Sequence, residues 1–195
     1  MVDVPTQRIL PTPTPELVEA QCREFDRDSY NELYENSLRQ LHERFPLNTD
    51  PAQVLLKALV LNKLYSARVN DIHVKPLVEH IVHLGVDAPI GQGEPSVVWH
   101  IFTCENLPKY YSFATKFCSW HNPEAYPIYD RYADACLWAY QKRDHFTDFH
   151  RQDMWYYDKF ITIVSAFRKH YSLDGFSFRD IDKFLWRMGA KILGE

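Results

Sequence analysis

The chain has 195 residues with a formal charge of −4, and 46% of its residues are hydrophobic while only 6 are glycine. This length and apolar content suffice for one well-packed domain, and the net negative charge excludes a protein that is cationic all over. Any surface that binds nucleic acid must therefore be local. The chain shows no signal-peptide pattern and no apolar run long enough to cross a bilayer, so we expect a cytoplasmic protein without membrane contact.

The first part of the chain predicts an extended arm over residues 1–14, because it contains prolines at positions 5, 11 and 13. We expect residues 15–195 to form a single helical domain. Thr14 followed by Pro15 is typical of a helix start. One helix or a pair then covers Asp28 to Phe45. Its apolar positions share one stripe that we expect to be buried: Tyr30, Leu33, Tyr34, Leu38 and Leu41.

The next helix starts at Asp50-Pro51 and is apolar on nearly every side, which predicts the central core helix. Asn62 on this helix is either a paired core amide or a residue of a pocket. A further helix begins at Asn70 or Asp71 and runs to about Leu84. It carries His80 and His83, whose spacing alone resembles a metal pair, and without a nearby carboxylate ligand pattern we interpret them as surface or rim residues.

Residues 85–95 predict the longest irregular loop, which would be a plain surface loop or a lid or strand-separating wedge. The stretch from Gln152 to Tyr171 predicts one long helix. Ser177 and Asp180 have the spacing of a capping box at the start of the last helix, where Gly189 would permit close approach to another helix. The four cysteines form no closely spaced pair and predict small buried side chains rather than metal ligands: Cys22, Cys104, Cys118 and Cys136.

The stretch from Leu107 to Tyr140 predicts a helix, a proline-containing connector and a second helix. The first helix covers Tyr110–Trp120 and ends before Asn122-Pro123. An apolar connector, Tyr126–Tyr129, then leads to Asp130 at the N-cap of a helix from Arg131 to Gln141. Asp130 has two interpretations that remain open at this point. It is a cap that stabilises the helix by about 1 kcal/mol, or it is a rigid, partly desolvated carboxylate that steadies a developing cation or orients a water molecule.

The order of these features resembles the helix-hairpin-helix base-excision DNA glycosylases, of which endonuclease three is the familiar bacterial member. In that family a leucine-proline pair, here Leu107-Pro108, opens a hairpin, and a catalytic aspartate at the position of Asp130 heads a later helix. Val54–Asn62 resembles the family's early apolar helix, and Phe184–Gly189 resembles its late helix with a glycine. The resemblance implies an all-α single domain of about eight helices.

The resemblance also implies a function, a monofunctional DNA N-glycosylase without metal or other cofactor. Asp130 would stabilise the oxocarbenium-like sugar and orient the attacking water, with DNA as the partner. The residues implied for the base pocket are Asn62, Tyr65, Ser66 and Trp120, and those implied for phosphate contacts are Lys109, Lys116 and Arg131. Each has an alternative: ordinary surface charge for the cations and core packing for the aromatic residues.

The sequence departs from the family at the points that carry its chemistry. Residues 109–112 contain no glycine, so a turn with positive φ is costly there. Ser112 and Phe113 occupy the region of the nucleophilic lysine of bifunctional members, and the iron–sulfur cysteines have no counterpart. These departures favour an alternative, a non-catalytic relative that binds nucleic acid or a protein partner.

Overall fold

The computed structural model describes residues 10–195, and within that range the chain forms helices and no strand. Among these described residues the all-α prediction is confirmed, with ten α-helices where about eight were expected, and with a 3₁₀ helix at Arg151–Trp155. The α-helices are α1 (Pro15–Arg27), α2 (Ser29–Arg44), α3 (Pro51–Leu64), α4 (Asp71–Leu84), α5 (Asp87–Gly91), α6 (Ser96–Phe102), α7 (Tyr111–His121), α8 (Arg131–Asp144), α9 (Tyr157–His170) and α10 (Phe178–Leu193). None of these helices combines the length and apolar character that crossing a membrane requires.

The described chain divides into two compact units. The split unit consists of residues 10–28 and Ile128–Glu195, and it contains α1, α8, α9, α10 and the 3₁₀ helix. The continuous unit is Ser29–Pro127 and contains α2 to α7. The prediction of a single domain over residues 15–195 stays a prediction.

In the split unit, α10 packs against both α8 and α1. Gly189 makes the close contact with α8 that its position predicted, because a Cβ at this residue would lie 2.3 Å from the carbonyl oxygen of Tyr132. The start of α10 is also as predicted, since Ser177 Oγ accepts from the Asp180 amide at 3.2 Å and Asp180 Oδ2 accepts from the Ser177 amide at 2.9 Å. The Gly189 contact places α10 directly against the first turn of α8, and the capping box defines where α10 begins.

The predictions for the segment before α1 and for the segment before α9 have different outcomes. Of the predicted arm, residues 1–9 lie outside the described part of the chain, and residues 10–14 are not helical, with the Pro11 carbonyl accepting from Tyr140 Oη at 2.8 Å. The prediction of one helix from Gln152 to Tyr171 is wrong, because Tyr156 is extended between the 3₁₀ helix and α9. The Asp153 carboxylate secures this break by accepting from the His150 amide at 2.8 Å and from Lys159 Nζ at 2.7 Å.

In the continuous unit, α3 packs against α2, α4 and α7. Val54, Ala58 and Leu61 are buried as expected of a core helix. The opposite face is not, because Leu55, Leu56 and Leu59 are exposed to 37%, 47% and 43%. The predicted core helix α3 therefore contributes to the core with one face only.

Two further predictions for this unit need correction. The stripe predicted on α2 is buried at Leu38, but Tyr30 and Leu33 are exposed. Residues 85–95 are not one irregular loop, since they contain α5, which begins at Asp87. The Asp87 carboxylate accepts from the backbone amide of Asn48 at 3.0 Å and from its Nδ2 at 2.7 Å. These bonds join residues that are far apart in the sequence, so local sequence patterns do not predict them.

The cysteines mostly follow their prediction. Cys22, Cys118 and Cys136 are buried, and burial raises the pKa of the Cys22 thiol to about 11. Cys104 is only half-buried, so the prediction fails for that residue. Buried thiols with a raised pKa are poor nucleophiles at neutral pH, which is consistent with packing roles for the three.

Candidate functional site

Asp130 occupies the N-cap of α8, as predicted. Its Oδ1 accepts from the backbone amides of Tyr132 and Ala133, each at 2.9 Å. The connector before it contains the buried Ile128. The capping interpretation is therefore directly visible, and a catalytic role for Asp130 stays a prediction.

Tyr129, the neighbour of Asp130, belongs to a polar network on the same unit. Its hydroxyl donates to Asp134 Oδ1 at 3.2 Å and accepts from Trp155 Nε1 at 3.0 Å. Asp134 in turn accepts from Arg151 Nε at 2.9 Å. Burial and the nearby Asp134 carboxylate raise the pKa of Tyr129 well above its usual value, so this phenol stays protonated at neutral pH.

Arg131, a predicted phosphate contact, is half-exposed at the start of α8. Its guanidinium forms a salt bridge of 2.7 Å with Glu195 Oε2 and lies 4.6 Å from the ring centroid of Tyr132. Its charge is therefore already partly balanced within the split unit. A phosphate contact by Arg131 stays a prediction, and it would compete with Glu195.

The continuous unit contains an open depression of about 620 Å³ between the end of α3 and the start of α4, which we call the α3–α4 depression. It brings together two of the four predicted pocket residues, Asn62 and Ser66. Sequence reasoning missed two cations there, Lys63 and Arg68, although each lies within two residues of a predicted one. The complete lining is Leu59, Asn62, Lys63, Ser66, Arg68 and Asp71.

Asn62 holds the turn that forms one wall of the α3–α4 depression. Its Nδ2 donates to the Val69 carbonyl at 2.8 Å, and its Oδ1 accepts from the Val69 amide at 2.9 Å. Between these anchors Ser66 and Arg68 adopt positive φ values of 48° and 60°, which non-glycine residues rarely adopt. The amide is thus paired as a core amide would be while it also lines the depression.

The other two predicted pocket residues, Tyr65 and Trp120, contact each other. Their ring centroids are 5.9 Å apart in an edge-on arrangement, and the Tyr65 hydroxyl donates to Glu35. Lys116 is only 4% exposed, and its Nζ donates to the Tyr65 carbonyl at 3.0 Å. A phosphate contact by Lys116 stays a prediction that would require its ammonium group to leave this carbonyl.

Lys109, the remaining predicted phosphate contact, is exposed, and its Nζ lies 5.7 Å from the ring centroid of Trp99. It belongs to the connection between α6 and α7, where the predicted resemblance would put the hairpin of the glycosylases. No residue from 109 to 112 has a positive φ, and the left-handed residue of this connection is Asn106 at 61°. The absence of the glycine-type turn is therefore as the sequence predicted.

A buried polar group on α3 was not anticipated from the sequence. Lys57 Nζ donates to the carbonyls of Phe45 and Leu47 at 3.0 and 2.9 Å and to Asn48 Oδ1 at 2.6 Å. Burial lowers the pKa of Lys57 to about 8. These bonds satisfy polar groups in the connection between α2 and α3, so Lys57 has a structural role.

Two histidines are packed together near Trp120. His42 Nδ1 donates to the Leu38 carbonyl at 2.8 Å, and its ring centroid lies 4.7 Å from that of His121. The Nε2 atoms of both rings are buried and have no hydrogen-bond partner among residues 10–195. Burial lowers the pKa of His42 to about 4 and that of His121 to about 2. Both rings are therefore neutral at physiological pH.

Comparisons with known proteins give a family but no activity. The family described as HI_0787_N, N-terminal domain, matches residues 17–125. An uncharacterized protein of Haemophilus influenzae is 33% identical over 175 residues, which cover 86% of this chain and 81% of the relative. No solved structure matches the chain. The resemblance to helix-hairpin-helix DNA glycosylases stays a prediction, and the family match ends two residues before the boundary of the continuous unit at Pro127.

Proposed function

The chain belongs to the HI_0787_N family, and from its own side chains we propose that it binds DNA through the α3–α4 depression. The observation that carries the proposal is the pair of cations at this depression. Lys63 and Arg68 both line it, and neither forms a salt bridge within the described range of residues 10–195. Cations that are not neutralised by carboxylates are the groups that attract DNA phosphates.

The other lining groups suit a nucleotide. A volume of about 620 Å³ falls within the usual range for small-molecule sites. Ser66 offers a hydroxyl group beside the two cations, and Leu59 offers an apolar surface for a base. Asp71 contributes one negative charge, so the lining as a whole carries one net positive charge. The chain as a whole is acidic, so this local excess is what would favour a phosphate-bearing ligand.

Salt-dependent binding tests the proposal. We would titrate fluorescein-labelled single-stranded and duplex DNA at several salt concentrations with wild type and with the Lys63→Gln, Arg68→Gln double variant. The double variant should bind several-fold more weakly, and the slope of log K against log salt should fall by about 1 for each phosphate that the variant no longer neutralises.

The matched control is Lys75→Gln, since Lys75 is also exposed on the continuous unit but pairs with Glu79. It should bind DNA like wild type. Wild type that shows no salt-dependent binding, or a control that is as impaired as the double variant, would overturn the proposal. A protein that binds no DNA would point to the protein-partner alternative.

A second candidate function is N-glycosylase activity that depends on Asp130. The observation that favours it is the position of this carboxylate: it caps α8 after a buried connector, where the family resemblance places a catalytic aspartate. In that reaction the bond between the base and the sugar breaks with its electron pair leaving on the base, and the carboxylate stabilises the cationic sugar. Water then gives its hydroxyl group to the sugar, and its remaining proton goes to the departing base.

The Asp130→Asn variant separates capping from catalysis, because asparagine caps nearly as well as aspartate but carries no charge. We expect it to melt no lower than wild type and to release far less base from a panel of damaged and modified duplexes. Asp130→Ala should instead lose about 0.5–2 kcal/mol of stability with the cap. If wild type and Asp130→Asn are equally inert on every substrate, catalysis by Asp130 is wrong.

A further inference from the structure

The first turn of α8 presents two hydrogen-bond donors that meet at one carboxylate oxygen. Arg131 Nη2 and Tyr132 Oη donate to Glu195 Oε2 at 2.7 and 2.6 Å. Arg131 Nη2 also donates to Tyr132 Oη at 2.8 Å, so the three groups form a closed triangle. We call Arg131 and Tyr132 together the anion clamp. It lies within the split unit and directly follows Asp130 in the chain.

The anion clamp is held in place by its own unit. The Tyr132 backbone lies against Gly189, where a Cβ would have no room, and the Tyr132 ring contacts the Trp186 ring edge-on at 5.7 Å between centroids. The Arg131 guanidinium lies 4.6 Å from the centroid of the Tyr132 ring. Both donors are therefore oriented in advance, which reduces the entropy that is lost when a ligand binds.

The carboxylate in the anion clamp is held less firmly. Glu195 follows Gly194, which turns the chain at the end of α10 with a φ of 75°. The ion pair is half-exposed, with side-chain exposures of 50% for Arg131 and 42% for Glu195. Exposed ion pairs contribute little free energy, because water competes for both partners. An anion that binds the same donors more strongly can therefore displace Glu195.

A phosphate group matches the anion clamp better than the carboxylate does. Within residues 10–195 the Arg131 guanidinium donates hydrogen bonds only through Nη2, so the N–H groups of Nε and Nη1 remain for further acceptors. Glu195 offers one oxygen to both donors. A phosphate group offers several oxygens, so the guanidinium can bind two of them in its usual forked geometry while Tyr132 Oη also donates to one.

We propose that the anion clamp is a phosphate-binding site and that Glu195 occupies it in the free protein as an internal competitor. Two sources supply such a group. One is the diester backbone of DNA, in which case the inference rests on the proposed DNA binding, and the other is a phosphate monoester, in which case it does not. The anion clamp and the α3–α4 depression share no residue, so each is tested without the other.

An NMR titration with inorganic phosphate at constant ionic strength, followed at the Tyr132 amide, tests the anion clamp. Glu195→Gln should bind phosphate roughly 2- to 5-fold more tightly than wild type, since removal of a surface ion-pair partner has an effect of that size. Glu24→Gln is the matched control, because Glu24 is 54% exposed and pairs with Arg187 in the same unit. It changes the net charge equally and should bind phosphate like wild type.

The donor side of the anion clamp is tested by Arg131→Gln, with circular dichroism to verify that each variant is folded. This change should abolish the phosphate-dependent shift of the Tyr132 amide, with Glu195 and with Glu195→Gln alike. Equal affinities of wild type and Glu195→Gln would overturn the proposal. An equal gain in Glu24→Gln, or a shift that survives Arg131→Gln, would also overturn it.

A single-stranded oligonucleotide with and without a terminal phosphate distinguishes the two sources. If the gain in Glu195→Gln requires the terminal phosphate, the ligand is a monoester, and an equal gain without it identifies the diester backbone. Binding of inorganic phosphate at the anion clamp without any binding of DNA would overturn the proposed DNA binding and would support the clamp as a monoester site.

Discussion

Gly189→Ala should be one of the most damaging single-methyl changes in the split unit. The new Cβ would lie 2.3 Å from the Tyr132 carbonyl oxygen and 2.7 Å from its carbonyl carbon and Cα. All three are backbone atoms, so relief requires α10 and α8 to separate by about 1 Å to regain ordinary contact near 3.4 Å. Overpacking of this kind costs about 1–3 kcal/mol, occasionally more, and separates two helices along their contact. The intrinsic helix preference of alanine over glycine returns less than about 1 kcal/mol of that.

Thermal unfolding followed by circular dichroism measures this cost. For a chain of this length about 1 kcal/mol corresponds to roughly 2–4 °C, so a net cost of up to about 2 kcal/mol should lower the melting temperature by up to roughly 8 °C. Gly175→Ala is the control, because a Cβ at Gly175 meets no atom within 4 Å and its φ is not positive. It should melt near wild type. If Gly189→Ala melts as high as Gly175→Ala, the close helix contact is wrong.

Two more predictions concern the continuous unit. The pKa of His42 is about 4 in the folded protein, against an ordinary value of 6.5. The neutral ring therefore contributes fully to the free energy of unfolding above pH 6.5, and this contribution is lost as the pH falls through about 4. The difference between the two pKa values corresponds to about 3 kcal/mol. Urea unfolding between those pH values should therefore show a shallower pH dependence in His42→Phe than in wild type, and identical slopes would contradict the assignment. Asn62→Ala removes both bonds to Val69 and should cost about 1–3 kcal/mol. Asn62→Asp keeps the acceptor for the Val69 amide and should lose less in the same urea titration, whereas equal losses would mean that the accepted bond contributes nothing.

The parts of the fold that depend on neighbouring residues could be predicted from the sequence. The cap at Asp130 and the capping box at Ser177 are local, since a side chain and amides two or three residues away form each one. The exposed face of α3 could not be predicted in the same way. A helix that is apolar on every side has no periodicity to show which side faces water, so Leu56 and Val54 look alike in the sequence.

The candidate site was predictable in part for a similar reason. Asn62 and Ser66 were identified because the resemblance pointed to the end of an apolar helix. Lys63 and Arg68 were missed because a cation beside a helix end normally indicates plain surface charge. Lys116 was expected at the surface, but its ammonium group reaches the Tyr65 carbonyl, 51 residues earlier in the chain. Contacts of that range leave no trace in a local pattern.

The split unit has a consequence for how the chain is made. Its α1 packs against α10, which comes much later in the chain. The contact of Cys22 Sγ with the Asp180 carbonyl joins residues 158 positions apart. The continuous unit has all its helices between residues 29 and 127, so it can fold as it leaves the ribosome. At usual rates of translation α1 waits roughly 10–30 s for its partner helix. During that interval the apolar face around Val18 lacks the cover that α10 gives it in the native structure.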